Sequence, residues 1–220
     1  MERSHLLEAQ THFAVILGCS DSRVPVEMAF DQDFGDLFVI RVAGNVVASS
    51  QIASVEFAAE QFGVRLVVVM GHTNCGAVTA TIDALTAKVH SESLGNLRSI
   101  VDRIRPAVEG LIDLDLEQDQ LIKQAVRSNA RISANSLRHG SQILKHPCEQ
   151  DNLLIIGAEY CLETGQVEFF DGIPAADGHA GNGSKSGTIS STLGLELLLK
   201  FDKNIRAVWS SLMRALSTRK

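Results

Sequence analysis

Two short segments carry most of the reactive side chains. Gly18-Cys19-Ser20-Asp21-Ser22-Arg23-Val24-Pro25 sets a thiol, a carboxylate and a guanidinium at i, i+2 and i+4. Gly71-His72-Thr73-Asn74-Cys75-Gly76-Ala77-Val78 puts an imidazole and a second thiol on one loop. Each has a plain reading on its own: the first as a buried cysteine beside a surface Asp–Arg pair, the second as a weak zinc signal. Together they offer Cys19, His72 and Cys75, three soft or borderline ligands, with a fourth position open or within reach of Asp21. Such a set suits zinc, whereas magnesium and calcium prefer oxygen. A catalytic zinc keeps three protein ligands and an exchangeable fourth; a structural zinc is closed by four. Cys75 and Gly76 also fall near a helix start, whose positive end favours thiolate over thiol. The remaining cysteines, Cys148 and Cys161, belong to no comparable loop and read as core or surface residues. Gln10, Arg41 and Asn45 form a third group, which by itself signifies only capping and turns.

Both reactive segments directly follow apolar runs. Residues 13–18 (FAVILG), 37–42 (LFVIRV), 66–70 (LVVVM) and 153–156 (LLII) are continuous rather than alternating. That pattern suits strands covered on both faces, hence a mainly parallel sheet. Helical spacing fills the intervals: 51–62, 77–88, 94–108 with Pro106 weakening its end, and one stretch over 117–143. Residues 166–170 (QVEFF) read as a final edge strand. The expected fold is therefore α/β, a mainly parallel sheet flanked by helices, with a C-terminal helical extension. The extension comprises a Gly/Ser-rich linker at 175–191 and an amphipathic helical tail at 192–220, behind a zinc domain at 1–174. In such sheets, sites form at the carboxyl ends of strands, where both reactive segments lie.

Of the 220 residues, 45% are hydrophobic and 21% charged, which supports a sizeable core and excludes disorder throughout. Only 5% are aromatic, so that core is aliphatic. A net charge of −6 argues against nucleic acid or anionic membranes as partners. No apolar run approaches the roughly 20 residues that a membrane span needs. The opening MERSHLLEAQTHF lacks the basic flank and apolar stretch of a signal peptide, so the expected location is the cytoplasm.

Cys19-Ser20-Asp21-Ser22-Arg23 together with Gly71-His72-Thr73-Asn74-Cys75-Gly76 resembles the β-class carbonic anhydrase family, with its C-x-D-S-R and H-x-x-C-G motifs. Phe34-Gly35-Asp36-Leu37-Phe38, Ala43-Gly44-Asn45, Ser54-Val55-Glu56-Phe57-Ala58 and Ile156-Gly157-Ala158-Glu159-Tyr160 support it, so the likeness runs from about Gln10 to Phe170. The resemblance implies one Zn²⁺ per chain on Cys19, His72 and Cys75, an Asp21–Arg23 dyad beside it, and a homodimer or tetramer with the site at the dimer interface. It implies reversible hydration of carbon dioxide to bicarbonate and a proton by zinc-bound hydroxide. Gln10, nine residues before Cys19, matches a glutamine that bonds bicarbonate from the facing subunit in one branch, and Gly76 is a second candidate substrate contact. Another branch builds a bicarbonate pocket from Trp, Arg and Tyr; here the positions are Ile16, Arg41 and Phe57. Family members carry more chain ahead of the first strand than the eighteen residues preceding Cys19 here. Either that arm is missing or the C-terminal extension substitutes for it.

Charge considerations refine the expectation. Zn²⁺ with two thiolates and a neutral imidazole is formally neutral, so it acidifies water less than three histidines would, and Asp21 with Arg23 must compensate. If Arg23 holds Asp21 bidentately, the carboxylate stays off the metal and orients the attacking oxygen. If the pair breaks, Asp21 becomes a conditional fourth ligand and closes the site, which predicts closure at low pH. Two other functions compete: hydrolysis of carbonyl sulfide or carbon disulfide, which some relatives on this scaffold perform, and a non-catalytic zinc scaffold, which would need neither Asp21 nor Arg23.

Overall fold

Runs of four to six mostly apolar residues have no polar face to turn to water, and the chain buries them inside one sheet. The computed structural model describes residues 12–86, 91–150 and 153–173. Gln10, the linker at 175–191 and the tail at 192–220 lie outside the described residues. Strands β1 (Ala14–Gly18), β2 (Leu37–Arg41), β3 (Leu66–His72), β4 (Leu154–Tyr160) and β5 (Val167–Asp171) form a sheet in the order β2-β1-β3-β4-β5. The first four are parallel and β5 is antiparallel to β4, closing the edge as the sequence predicts. Every residue of β1 and β3 is buried.

Alternate residues of these strands supply two apolar layers. Ile16, Val68, Met70, Ile156 and Ala158 pack on one face with Val24, Val26 and Phe30 around the short helix α1 (Val26–Ala29). Val15, Leu17, Val67, Val69 and Ile155 pack on the other, beneath α2 (Ser49–Phe62), α5 (Gln118–His139) and α6 (Gln142–Glu149). A third cluster joins Cys19 and Cys75 to Val78 and Ile82 of α3 (Gly76–Leu85), Ile104 and Val108 of α4 (Arg98–Ile112), and Ala125 and Val126 of α5. This cluster seats the reactive loops on a dry floor. No helix among the described residues is long and apolar enough to cross a membrane.

Three elements differ from expectation. Helix α4 runs through Pro106 to Ile112, because Pro106 and Asp102 are exposed and water can take the carbonyl that the ring leaves free. Val101, Ile104, Ala107 and Val108 on its other side keep it docked. The stretch at 117–143 is two helices, broken at Gly140-Ser141. A Cβ on Gly140 would collide with the Ser136 carbonyl, so only glycine ends α5 this tightly. Strand β4 continues four residues beyond the apolar run at 153–156 and ends at Tyr160, where Glu159 masks its pattern.

Ser141 starts α6 and also ties it to α2. Its hydroxyl accepts from Leu144 N at 3.1 Å and donates to Glu56 Oε1 at 2.5 Å. Ser141→Ala removes the cap and leaves the Glu56 carboxylate short of a donor, and should cost about 1–2 kcal/mol in urea unfolding. An unchanged midpoint would mean that α6 is held by Leu144 packing alone.

Candidate metal centre

The strand order places the reactive loops together. β1 connects outward to β2 and the chain then returns to the other side of β1 as β3, so β1 and β3 flank the point where the winding reverses. Crevices open at the carboxyl ends of strands at such points. Cys19 follows the end of β1, His72 ends β3, and Cys75 caps α3.

The two sulfurs lie 4.0 Å apart, and the ligand atoms of Cys19, His72 and Cys75 are all within 4.8 Å of one another. Tetrahedral zinc with Zn–S bonds of about 2.3 Å places its sulfurs about 3.8 Å apart, so the spacing fits. His72 supplies the clearest sign. Its Nδ1 lies 2.9 Å from the Thr73 carbonyl, which can only accept, so Nδ1 carries the proton and Nε2 keeps its lone pair. That Nε2 is buried and has no hydrogen-bond partner. A buried imidazole lone pair aimed between two thiols fits a soft cation, and the residues present therefore suit zinc.

Backbone contacts hold the loops in place. Gly44 N–H donates to Cys19 Sγ at 3.3 Å from a 3₁₀ turn, Ala43–Asn45. Arg41 anchors the first loop by donating to the carbonyls of Cys19 at 2.9 Å and Asp21 at 2.5 Å. Thr73 ties the second loop to β4, donating from its amide to Tyr160 O and accepting from Leu162 N at its hydroxyl. Asn74, with φ of 56°, turns the chain toward Cys75. The two sulfurs hydrogen-bond each other, and either can be the donor; that bond pulls the Cys19 pKa down and drives the Cys75 pKa up.

Asp21 and Arg23 form a closed clamp. Arg23 Nε donates to Oδ1 at 2.9 Å, Nη2 to Oδ2 at 2.7 Å, and the Arg23 amide to Oδ1 at 3.0 Å. The same Nη2 reaches the Asn74 carbonyl at 3.3 Å, linking the two loops. These bonds hold the Asp21 carboxyl well below the usual carboxylate range. Its Oδ2 stands 3.8 Å from His72 Nε2, beside the metal position.

The structure thus gathers Cys19, Asp21, Arg23, His72 and Cys75 at one place, with Gly76 opening α3 beside them. Gly76 is exposed, and a Cβ there would meet nothing within 4 Å, so space lies in front of it. Arg41 serves the loop carbonyls, and Asn45 is buried with a left-handed backbone at φ of 43°. His12 sits at the opposite end of β1, tilted against Phe38 and edge-on to Phe62, away from the centre. Cys148 and Cys161 stand apart from the metal group, as expected. Nothing adjacent in sequence marks the hydrogen bonds that Gly44 and Thr73 make; the glycine inside Ala43-Gly44-Asn45 is the available signal.

The family model described as carbonic anhydrase matches residues 14–167. A carbonic anhydrase of Mycolicibacterium smegmatis is 37% identical over 175 residues, covering 76% of this chain and 78% of the relative. One from Pseudomonas aeruginosa is 30% identical over 187 residues, covering 76% and 77%. Among solved structures, the β-carbonic anhydrase CafA of Aspergillus fumigatus superposes with a TM-score of 0.69 at 25% identity, covering 78% of this chain and 81% of that one. With the strand order, the convergent Cys-His-Cys group and these relatives in agreement, the chain belongs to the β-class carbonic anhydrase family.

Proposed function

We propose that this chain catalyses the reversible hydration of carbon dioxide to bicarbonate and a proton, with one Zn²⁺ held by Cys19, His72 and Cys75. The observation that carries the reading is the convergence of those three ligand atoms beside a carboxylate that Arg23 clamps. Zinc, when bound, supplies Lewis acidity that makes water a nucleophile near neutral pH.

The chain's own residues do the rest. Oδ1 of Asp21 takes two donors from Arg23, whereas Oδ2 takes one and keeps a lone pair on the side of His72. That oxygen accepts a hydrogen bond from the reacting water and fixes where its other lone pair points. The clamp keeps the carboxylate ionised and prevents it from swinging onto the metal as a fourth ligand. Gly76, in the first turn of α3, offers its N–H to a bicarbonate oxygen, where the helix terminus favours negative charge. Gln10 of a facing subunit is a further bicarbonate contact in a homodimer or tetramer whose site lies at the interface. The proposed setting is the cytoplasm.

Asp21→Asn tests the roles directly. The amide keeps the shape and loses the proton-accepting charge, so kcat/KM for hydration in stopped-flow assays should fall about 10²-fold with zinc content unchanged. Wild-type protein that carries stoichiometric zinc but hydrates no carbon dioxide at pH 8.5 would instead be a metal scaffold.

A further inference from the structure

Helix α5 carries an asparagine at position 129 that its local sequence does not explain. Asparagine is a poor residue for a helix interior, and Asn129 is only 1% exposed, among alanines and valine. Its amide makes one bond: Nδ2 donates to the Gly44 carbonyl at 2.7 Å, across 85 residues of sequence. Its Oδ1 is buried with no partner. A buried amide that leaves its acceptor unpaired is costly, so the single bond it makes has to matter to the site it faces.

That bond ends one peptide away from a metal ligand. Gly44 receives Asn129 at its carbonyl and donates its own N–H to Cys19 Sγ at 3.3 Å. The turn has little slack. Gly44 has φ of 67°, and a Cβ there would lie 2.7 Å from Ile104 Cδ1 and 3.1 Å from Ala77 Cβ. The direction of the Gly44 N–H is therefore set by where its carbonyl is held, and α5 holds it.

We infer that Asn129 is a positioning residue for the metal centre: through Gly44 it keeps an N–H on the Cys19 sulfur and so sets the charge that this thiolate donates to the metal. The inference rests on the zinc reading above. A donor aimed at a thiolate draws off part of its charge and fixes its orientation. Loss of Asn129 frees the turn, lets the N–H leave the sulfur, and makes Cys19 a stronger but less well-oriented ligand.

The test uses the full chain loaded with cobalt(II), whose sulfur-to-metal charge-transfer band reports the electron density on sulfur, alongside a competition measurement of zinc affinity. Asn129→Leu keeps the branched side-chain skeleton and removes the amide; Asn129→Ser is the second variant should the first not fold. Leu137→Ala, on the same helix in the apolar layer against the sheet, controls for lost stability. The expected result is a band shifted to lower energy and zinc affinity weakened about 10-fold or more in the Asn129 variants, with neither change in Leu137→Ala. An unmoved band with wild-type zinc affinity in the Asn129 variants overturns the inference and leaves the zinc reading standing. Equal losses in Leu137→Ala overturn it as well, because general destabilisation then accounts for them. Wild-type protein that takes up neither metal overturns both.

Discussion

Cys75→Ser is expected to leave the chain folded, without stoichiometric zinc, and at least about 10³-fold slower in carbon dioxide hydration. Cys75 is 1% exposed, lies in the apolar cluster with Val78 and Ile82, and its sulfur stands 4.0 Å from that of Cys19. A serine hydroxyl does not ionise near neutral pH and leaves only Cys19 and His72 to hold a cation. The fold should survive, because Cys75 occupies the N-cap of α3, where it makes no side-chain cap bond and serine is a preferred residue. Metal analysis, circular dichroism and stopped-flow hydration on one preparation separate the outcomes. A variant that retains wild-type zinc affinity would mean that Cys75 is not a ligand, and the assignment would fail.

The second large effect lies away from the metal, at Arg127. This side chain on α5 donates to Glu159 Oε2 of β4 at 3.4 Å and to both oxygens of Glu168 of β5, at 2.9 and 2.8 Å. Glu159 is 5% exposed and its Oε1 has no partner, so its charge depends on Arg127. Arg127→Gln should lower stability by about 3–5 kcal/mol at pH 8, the cost of stranding a buried charge, and Glu159→Gln in the same background should restore most of it.

The pH dependence gives an independent check. Burial holds the Glu159 pKa above its ordinary value, and removing Arg127 raises it further, because that guanidinium opposes the shift. A carboxyl whose folded pKa is raised destabilises the protein above that pKa and ceases to do so once protonated. Glu168 shifts the other way: its hydrogen bonds to Arg127 depress its pKa, and the stability they give is lost as pH falls through the lowered value. The Glu159 effect narrows the gap between wild type and Arg127→Gln as the pH drops from 8 toward 4, and the Glu168 effect narrows it further below that range. A constant difference in chemical-denaturation free energy across that range would show that Arg127 acts through packing, on Phe170 for instance, which its guanidinium overlies at 4.3 Å.

Local chemistry explains which parts of this architecture can be read from residues alone. Residues 13–18 and 66–70 are unbroken apolar runs, a pattern only a doubly covered strand tolerates, and each is followed at once by its reactive loop. Strand position and ligand identity were therefore legible together, and Asp21–Arg23 is a contact between near neighbours. What was not legible depends on distance along the chain. Nothing near Asn129 points to Gly44, nor anything near Arg127 to Glu159, because those partners meet only once α5 lies across the sheet. The break at Gly140 stayed hidden because apolar spacing continues through it, and Pro106 misled because its cost depends on which side of the helix faces water.

The centre of the sheet also has a consequence in time. Cys19 and Cys75 are 56 residues apart, and β1, which positions the first, is flanked by strands made after it. At synthesis rates of about 5–20 residues per second, the second thiol leaves the ribosome about 3–11 s after the first. Through that interval Cys19 is the one cysteine of the chain that has emerged. A cation held by both thiols therefore has to wait until β3 and the loop behind it have been synthesised.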